Sequence, residues 1–264
     1  MHLTFCKTIG DDQLVKRYAL NVHGRDFVVG DIHGCFSKVK MSLERIGFNY
    51  EIDRLFCVGD LIDRGPESNQ VIDFLKQPWV HSVRGNHEQV LIDIIDNADV
   101  EKLEYNAQRN GMSWFEKIKD ADEVTRIREY LGSLPIVIEI ETKQGLVGIV
   151  HAEVPVGMSW EMFTTSIRDR VPSVTASALW GRTRIMEPNC SKVPGVGEII
   201  CGHTVVHGIA RLGNTYYVDT GYVFKILAEK PSELMAIPSI LLAKELNILV
   251  SKYSKSGENN GDST

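Results

Sequence analysis

The sequence predicts an α/β protein in which a parallel sheet packs against a second, strand-rich sheet. Three observations point there. A strand–loop–helix pattern is repeated three times up to Ile95, a helical stretch breaks the rhythm from about residue 97, and β-branched, strand-like segments follow from Pro135 onward.

Taken in order, residues 1–24 are weakly patterned and read as an extension carrying a short strand or arm. Asp26–Val29 is a short apolar strand. Phe36, Val39, Leu43 and Ile46 then recur at helical spacing with Gly47 just beyond them, which marks an amphipathic helix and its stop. Asp53–Val58 is the next strand, and Pro66 with Val71, Ile72 and Leu75 is the helix after it, ending before Pro78. Val80–Val83 is the third strand, and Val90, Leu91, Ile94 and Ile95 give the following helix its apolar face. Strands alternating with helices make a parallel sheet with right-handed crossovers. Between about 97 and 133, Trp114, Phe115, Ile118, Val124, Ile127, Tyr130 and Leu131 read as a helical cap packed on its own apolar face. Ile136–Ile140, Leu146–His151, Glu198–Cys201 and Ile209–Asp219 are strand-like, with a loop-rich and then helical stretch from Glu153 to Ser177. Ile237–Val250 suits a helix and a last strand, and the polar Ser254–Thr264 reads as a disordered end.

With 264 residues, 43% of them hydrophobic, the chain can bury a sizeable core as one domain with a cover. A formal charge of −6 with no long run of one sign argues against nucleic acid as a partner. No stretch approaches the length of a membrane span and the first residues lack a signal-like apolar run, so neither membrane insertion nor secretion is expected. Cys6, Cys35, Cys57, Cys190 and Cys201 form no CxxC pair and read as reduced thiols of a cytoplasmic protein. There is no P-loop and no His-Glu-x-x-His, and Gly195-Val-Gly197 lacks the third glycine and the helix that a dinucleotide site needs.

The chemistry concentrates in three strand-to-helix loops: Gly30-Asp31-Ile32-His33-Gly34, Gly59-Asp60-Leu61-Ile62-Asp63-Arg64-Gly65 and Gly85-Asn86-His87-Glu88. Loops at the carboxyl ends of neighbouring parallel strands lie side by side, where open α/β sheets bind ligands. His151 and His203 come at later strand ends; His203 is preferred over the nearby His207 because it ends a strand directly. Asp31, His33, Asp60, Asn86, His151 and His203 make a mixed oxygen and nitrogen donor set without thiolate, suited to two divalent ions, manganese first, with iron or zinc also accommodated. Asp60, central in the loop order, is the natural bridge. Paired ions activate a bridging water as hydroxide and neutralise phosphoryl oxygens, the recurrent device for phosphoester hydrolysis. His87 is then free to protonate the leaving group, Asp63 can orient it, and Arg64 offers a fork of donors to phosphate. Arg182, in Trp180-Gly-Arg-Thr-Arg184, is a second phosphate arginine, with Arg184 the competing choice; Asn86 adds a substrate contact.

GDIHG, GDLIDRG and GNHE in this order, with a later His-Ala and Gly-His-Thr, resemble the phosphoprotein phosphatase family of metallophosphoesterases, in its bacterial and phage branch. The likeness runs from about Asp26 to Phe224. It implies the calcineurin-like metallophosphoesterase fold, two packed mixed sheets flanked by helices, with a domain over 25–228, a helical cap at 97–133 and extensions at 1–24 and 229–264. It further implies that Asp31, His33 and Asp60 hold one ion and Asp60, Asn86, His151 and His203 the other. His87 with Asp63 would supply the proton, Arg64 and Arg182 would hold phosphate, and Arg84 would have a structural role. The implied activity is hydrolysis of phosphoserine and phosphothreonine, with phosphotyrosine as an extension, in phosphoprotein partners. Dinucleoside-polyphosphate hydrolases, which share the metal loops, are the alternative; Asp63, which those relatives typically lack, favours the protein phosphatases. A binding module that had lost its chemistry is disfavoured because His87 and every candidate ligand are present.

Overall fold

The chain, described over residues 13–221 and 240–242 in a computed structural model, runs through β1 (Val15–Tyr18), β2 (Asp26–Val29), α1 (Phe36–Arg45), β3 (Arg54–Cys57), α2 (Val71–Leu75), β4 (Val80–Ser82), α3 (Asn86–Asn97), α4 (Val100–Arg109) and α5 (Ala121–Gly132). It continues through β5 (Val137–Thr142), β6 (Gly145–Val150), α6 (Trp160–Arg168), α7 (Pro172–Trp180), α8 (Thr183–Met186), β7 (Glu198–Cys201), β8 (Ala210–Leu212), β9 (Thr215–Tyr217) and β10 (Ile240–Leu242). β2, β3 and β4 pair in parallel, as three successive strand–helix units require, and β10 adds antiparallel to β2. The second sheet is mixed, in the order β1-β5-β6-β7-β9-β8.

Period-two alternation decides the layers. Val28 of β2 and Phe56 of β3 meet Ile138, Ile149 and Ile200 of the other sheet in one apolar cluster, while their neighbours Phe27, Val29, Leu55 and Cys57 turn outward onto α1, α2 and α3. In the six-stranded sheet, Val137, Val150, Ile199 and Cys201 turn the opposite way, onto α6 and α7. The result is helix, sheet, sheet, helix: the two packed mixed sheets with flanking helices expected from the resemblance.

Two placements were not readable from the chain. The short strand expected within the first 24 residues is β1, which lies at the edge of the six-stranded sheet in parallel register with β5. The insert, here α4, a 3-10 turn at Met112–Lys117 and α5, is not packed on its own face. Met112, Phe115, Ile127 and Leu131 join the cluster of Leu91, Ile94 and Phe36, so the insert extends the helical layer over the four-stranded sheet. Arg84 fastens its far end, donating from Nη2 to the carbonyls of Gly132 (2.6 Å) and Leu134 (3.1 Å) and from Nη1 to Gln89 (2.8 Å). Of the expected C-terminal elements, Ile240–Leu242 is described as a strand; the rest of 237–250 and the polar end lie outside the described residues.

Candidate active site

β2, β3, β4, β6 and β7 deliver their carboxyl ends to one rim. Ile32 and His33 donate their backbone N–H groups to the Asp60 carbonyl (3.1 and 2.8 Å), Gly34 donates to Leu61 (2.7 Å), Gly202 donates to the His151 carbonyl (2.8 Å), and His203 N–H bonds both oxygens of Asp31 (3.1 and 3.2 Å). Gly30 is needed here for close approach: a Cβ would fall 2.7 Å from the Val218 carbonyl. Among the described residues seven non-glycines have positive φ, and His33, Asp60, Asp63, Arg64 and His203 are five of them. Such backbone conformations persist only where surrounding contacts over-determine them, and they cluster at functional sites.

Part of that determination comes from Glu88, in the first turn of α3. Its buried carboxylate accepts the N–H groups of Gly85 (2.8 Å) and Asp60 (2.9 Å) on one oxygen and of Leu61 (2.8 Å) and Ile62 (3.2 Å) on the other. Burial, joined by the Asp60 charge, pushes its pKa up to about 7 against the pull of those donors. Asn86 and His87, expected in a loop before the helix, are instead its first residues.

Asp60 stands between two groups of donors. Its Oδ2 lies 3.8 Å from both His33 Nε2 and His87 Nε2, and its Oδ1 lies 3.4 Å from His151 Nε2, which is itself 2.9 Å from Asn86 Oδ1. His203 completes the second group. His33 donates Nδ1–H to the Ile62 carbonyl (2.8 Å) and His151 to the Val58 carbonyl (2.7 Å), so each ring turns its Nε2 inward. Burial drives the His33 and His203 pKa values down to about 3, which keeps both rings neutral. Burial alone would raise the Asp60 pKa, but the imidazoles around it, His87 with its raised pKa among them, and the His87 backbone N–H hold it below the usual range. Asp31 is buried and, with Asp219 and Asp60 nearby, has its pKa raised well above the ordinary carboxylate value. Acceptor thus faces acceptor across both groups, an arrangement that cations satisfy. The Arg64 guanidinium, its Nη1 against His33 Nε2, already brings positive charge to one of them.

Against Asp60 stands a proton-bearing pair. His87 donates Nδ1–H to Asp63 Oδ2 at 2.6 Å, and Asp63 is fully buried. Burial pulls the His87 pKa down, yet Asp60 and the hydrogen-bonded Asp63 outweigh it and the net shift is upward, opposite to His33 and His203. His87, Asn86, Arg64, Arg182 and His203 line a cavity of about 150 Å³.

The sequence model of the calcineurin-like phosphoesterases matches residues 27–207, well over half of the chain. The chain belongs to the calcineurin-like phosphoesterases. This phosphoesterase is 32% identical over 200 residues to serine/threonine-protein phosphatase 2 of Salmonella typhimurium, covering 74% of this chain and 86% of that one. It is 29% identical over 140 residues to the symmetrical bis(5'-nucleosyl)-tetraphosphatase of Erwinia tasmaniensis, covering 52% and 47% of the two chains. A crystal structure of a proposed diadenosine tetraphosphatase superposes with a TM-score of 0.55 at 24% identity over 80% of this chain and 89% of that chain, a likeness of fold. The protein is therefore a metal-dependent hydrolase of phosphoesters, with a His/Asp cluster fit to hold metal.

Two sequence-level choices can now be placed on the phosphoesterase. His203 stands with Asp60 and His151, whereas His207 is exposed on the next turn. Arg182 lines the cavity, whereas Arg184 is buried elsewhere, donating to the carbonyls of Asn189 (3.1 Å) and Ser191 (2.7 Å). Arg182→Ala is accordingly expected to weaken inhibition by inorganic phosphate about 10-fold. Arg184→Ala should leave that inhibition constant unchanged while lowering the melting temperature; the reverse pattern would exchange their roles. The parts of Glu88, Trp114, Asp219 and Trp180 are not legible in the sequence. Glu88 lies inside a motif. Trp114 carries only the signal of an aromatic in the insert, Trp180 lies two residues before Arg182 and lines the cavity with it, and Asp219 comes near Asp31 by tertiary contact alone.

Proposed function

We propose that this phosphoesterase hydrolyses phosphoserine and phosphothreonine, with phosphotyrosine as a lesser substrate, in proteins. The observation that carries the reading is the buried Asp63–His87 pair beside Asp60. A dedicated acid has a purpose only where the leaving group is too basic to depart alone. A serine alkoxide needs the proton; a nucleotide leaving as a phosphate, with a second pKa of about 6, does not. The relatives named as protein phosphatases also match about three quarters of the chain, those named as tetraphosphatases about half.

Asp31, His33 and Asp60 would hold one divalent ion, and Asp60, Asn86, His151 and His203 the second. Manganese is our choice, and iron or zinc also suits the donors. When bound, the pair supplies Lewis-acid activation of water and neutralises phosphoryl charge. The residues do the rest. Arg64 and Arg182 clamp phosphate oxygens with Asn86 as a further contact, and Asp63 holds the His87 ring by Nδ1 so that Nε2 presents its proton to the departing oxygen. His87 stands as near to Asp60 and His33 as a ligand would, and we assign it the acid role because the other six donors already supply both ions. Residues 25–228 form the catalytic domain in this reading, supported by the family match over 27–207. A cytoplasmic location belongs to the same proposal, supported by the free thiols of Cys35, Cys57, Cys190 and Cys201. No helix among the described residues is long and apolar enough to cross a membrane.

The second reading, hydrolysis of dinucleoside polyphosphates, draws on the tetraphosphatase relatives. Turnover of a phosphoserine peptide against a dinucleoside tetraphosphate, with manganese added, separates the two. The peptide is expected to have a kcat/KM higher by about 10²-fold or more, a discrimination that transition-state interactions can supply; preference for the tetraphosphate would replace the proposal.

A further inference from the structure

The insert lines the cavity with Asn106 of α4 and with Asn110, and the short segment that follows, Gly111–Phe115, meets the Asp63–Arg64 corner three times. Asp63 and Arg64 have φ of 71° and 66°, consecutive left-handed residues with side chains, which need support from outside their own loop. Arg64 donates its backbone N–H to the Gly111 carbonyl at 3.2 Å. Gly111, itself at φ 79°, lies so close that a Cβ would fall 2.4 Å from Arg64 N. Trp114 donates its indole N–H to Asp63 Oδ1 at 2.7 Å, while Asp63 Oδ2 takes the His87 proton at 2.6 Å. The segment is anchored between these contacts by Met112, fully buried, and by Phe115 in the same apolar cluster as α3.

Each oxygen of Asp63 therefore has its own donor. An indole N–H only donates, so its bond fixes the carboxylate plane and with it the oxygen left to orient His87. We propose that Trp114 is a positioning residue for proton delivery, acting through Asp63 on His87, so that the insert and not the three motif loops alone sets the direction of the acid. The inference rests on the reading of His87 as leaving-group acid.

Trp114→Phe keeps an aromatic ring in the cluster and removes the N–H. Trp160→Phe is the control, since Trp160 donates to Glu139 at 2.7 Å from the other half of the fold. kcat and KM are measured for both variants and for His87→Asn, on a phosphoserine peptide and on nitrophenyl phosphate. Trp114→Phe is expected to lower kcat on the peptide about 10-fold with KM nearly unchanged, and on nitrophenyl phosphate by less than about 2-fold, the scale of one hydrogen bond to a charged group. Trp160→Phe should change neither ratio. A folding-independent reading comes from the indole N–H resonance of Trp114 in the otherwise intact chain, which should move upfield in Asp63→Asn while that of Trp160 stays. If His87→Asn loses equally on both substrates, the acid reading fails and the inference with it. If His87→Asn discriminates and Trp114→Phe does not, or the indole resonance is unmoved, Trp114 only packs.

Discussion

Asp60→Asn is expected to lose both tightly held divalent ions on dialysis, whereas His33→Ala and His203→Ala each lose mainly one. The reason is geometric. Oδ2 of Asp60 faces His33 and Oδ1 faces His151 and Asn86, so one side chain contributes charge to both donor groups. An amide keeps the shape but offers a single uncharged acceptor and turns N–H toward one group. Disturbing only the partners of metal ligands costs about 10- to 100-fold in affinity, so removing a shared anionic ligand should exceed that for each ion. Metal content per chain, determined after dialysis of the wild type and the three variants, decides the matter. Retention of both ions by Asp60→Asn would remove Asp60 from the bridge.

The second large effect falls on the proton. In fully metallated protein, His87→Asn should lower kcat on a phosphoserine peptide by roughly 10² to 10⁴, the usual worth of a positioned general acid. Asp63→Asn should act in the same direction and by less. The double variant should be little worse than His87→Asn, because Asp63 works through the ring it holds at 2.6 Å. Independent losses that multiply would give Asp63 a separate role. Metal content must be checked first, since His87 N–H also bonds Asp60 Oδ1 at 3.0 Å and a variant there can disturb the bridge.

What the chain shows before folding follows from range. The three loops were legible because each is a contiguous motif between an apolar strand and an amphipathic helix, and parallel pairing of β2, β3 and β4 then forces them together. His151 and His203 were legible for the same reason, each ending a strand of the second sheet. β1 was not, because a four-residue strand with mixed exposure takes its meaning from β5, with which it pairs in parallel more than a hundred residues on. Trp114 reads as one more core aromatic until its indole is seen on Asp63, 51 residues earlier in the chain. Arg182 and Arg184 are two positions apart and identical in kind; only burial, and the carbonyls of Asn189 and Ser191, separate them. Glu88 lies inside one of the three motifs, yet its part is not legible there, because a glutamate at the start of a helix is usually a solvent-facing cap and nothing local says that this one binds the backbone of another loop.

The most direct test of a phosphomonoesterase that protonates its leaving group through His87 is a series of aryl and alkyl phosphate monoesters of rising leaving-group pKa, hydrolysed by metal-replete wild type and His87→Asn. The wild type is expected to be nearly insensitive to leaving-group basicity. The variant should fall away steeply, matching the wild type on nitrophenyl phosphate and separating from it by about 10² or more once the leaving group is more basic than a phenolate of pKa about 10. Parallel lines for the two proteins, displaced by a constant factor across the series, would contradict the account and leave His87 as an electrostatic residue that moves no proton.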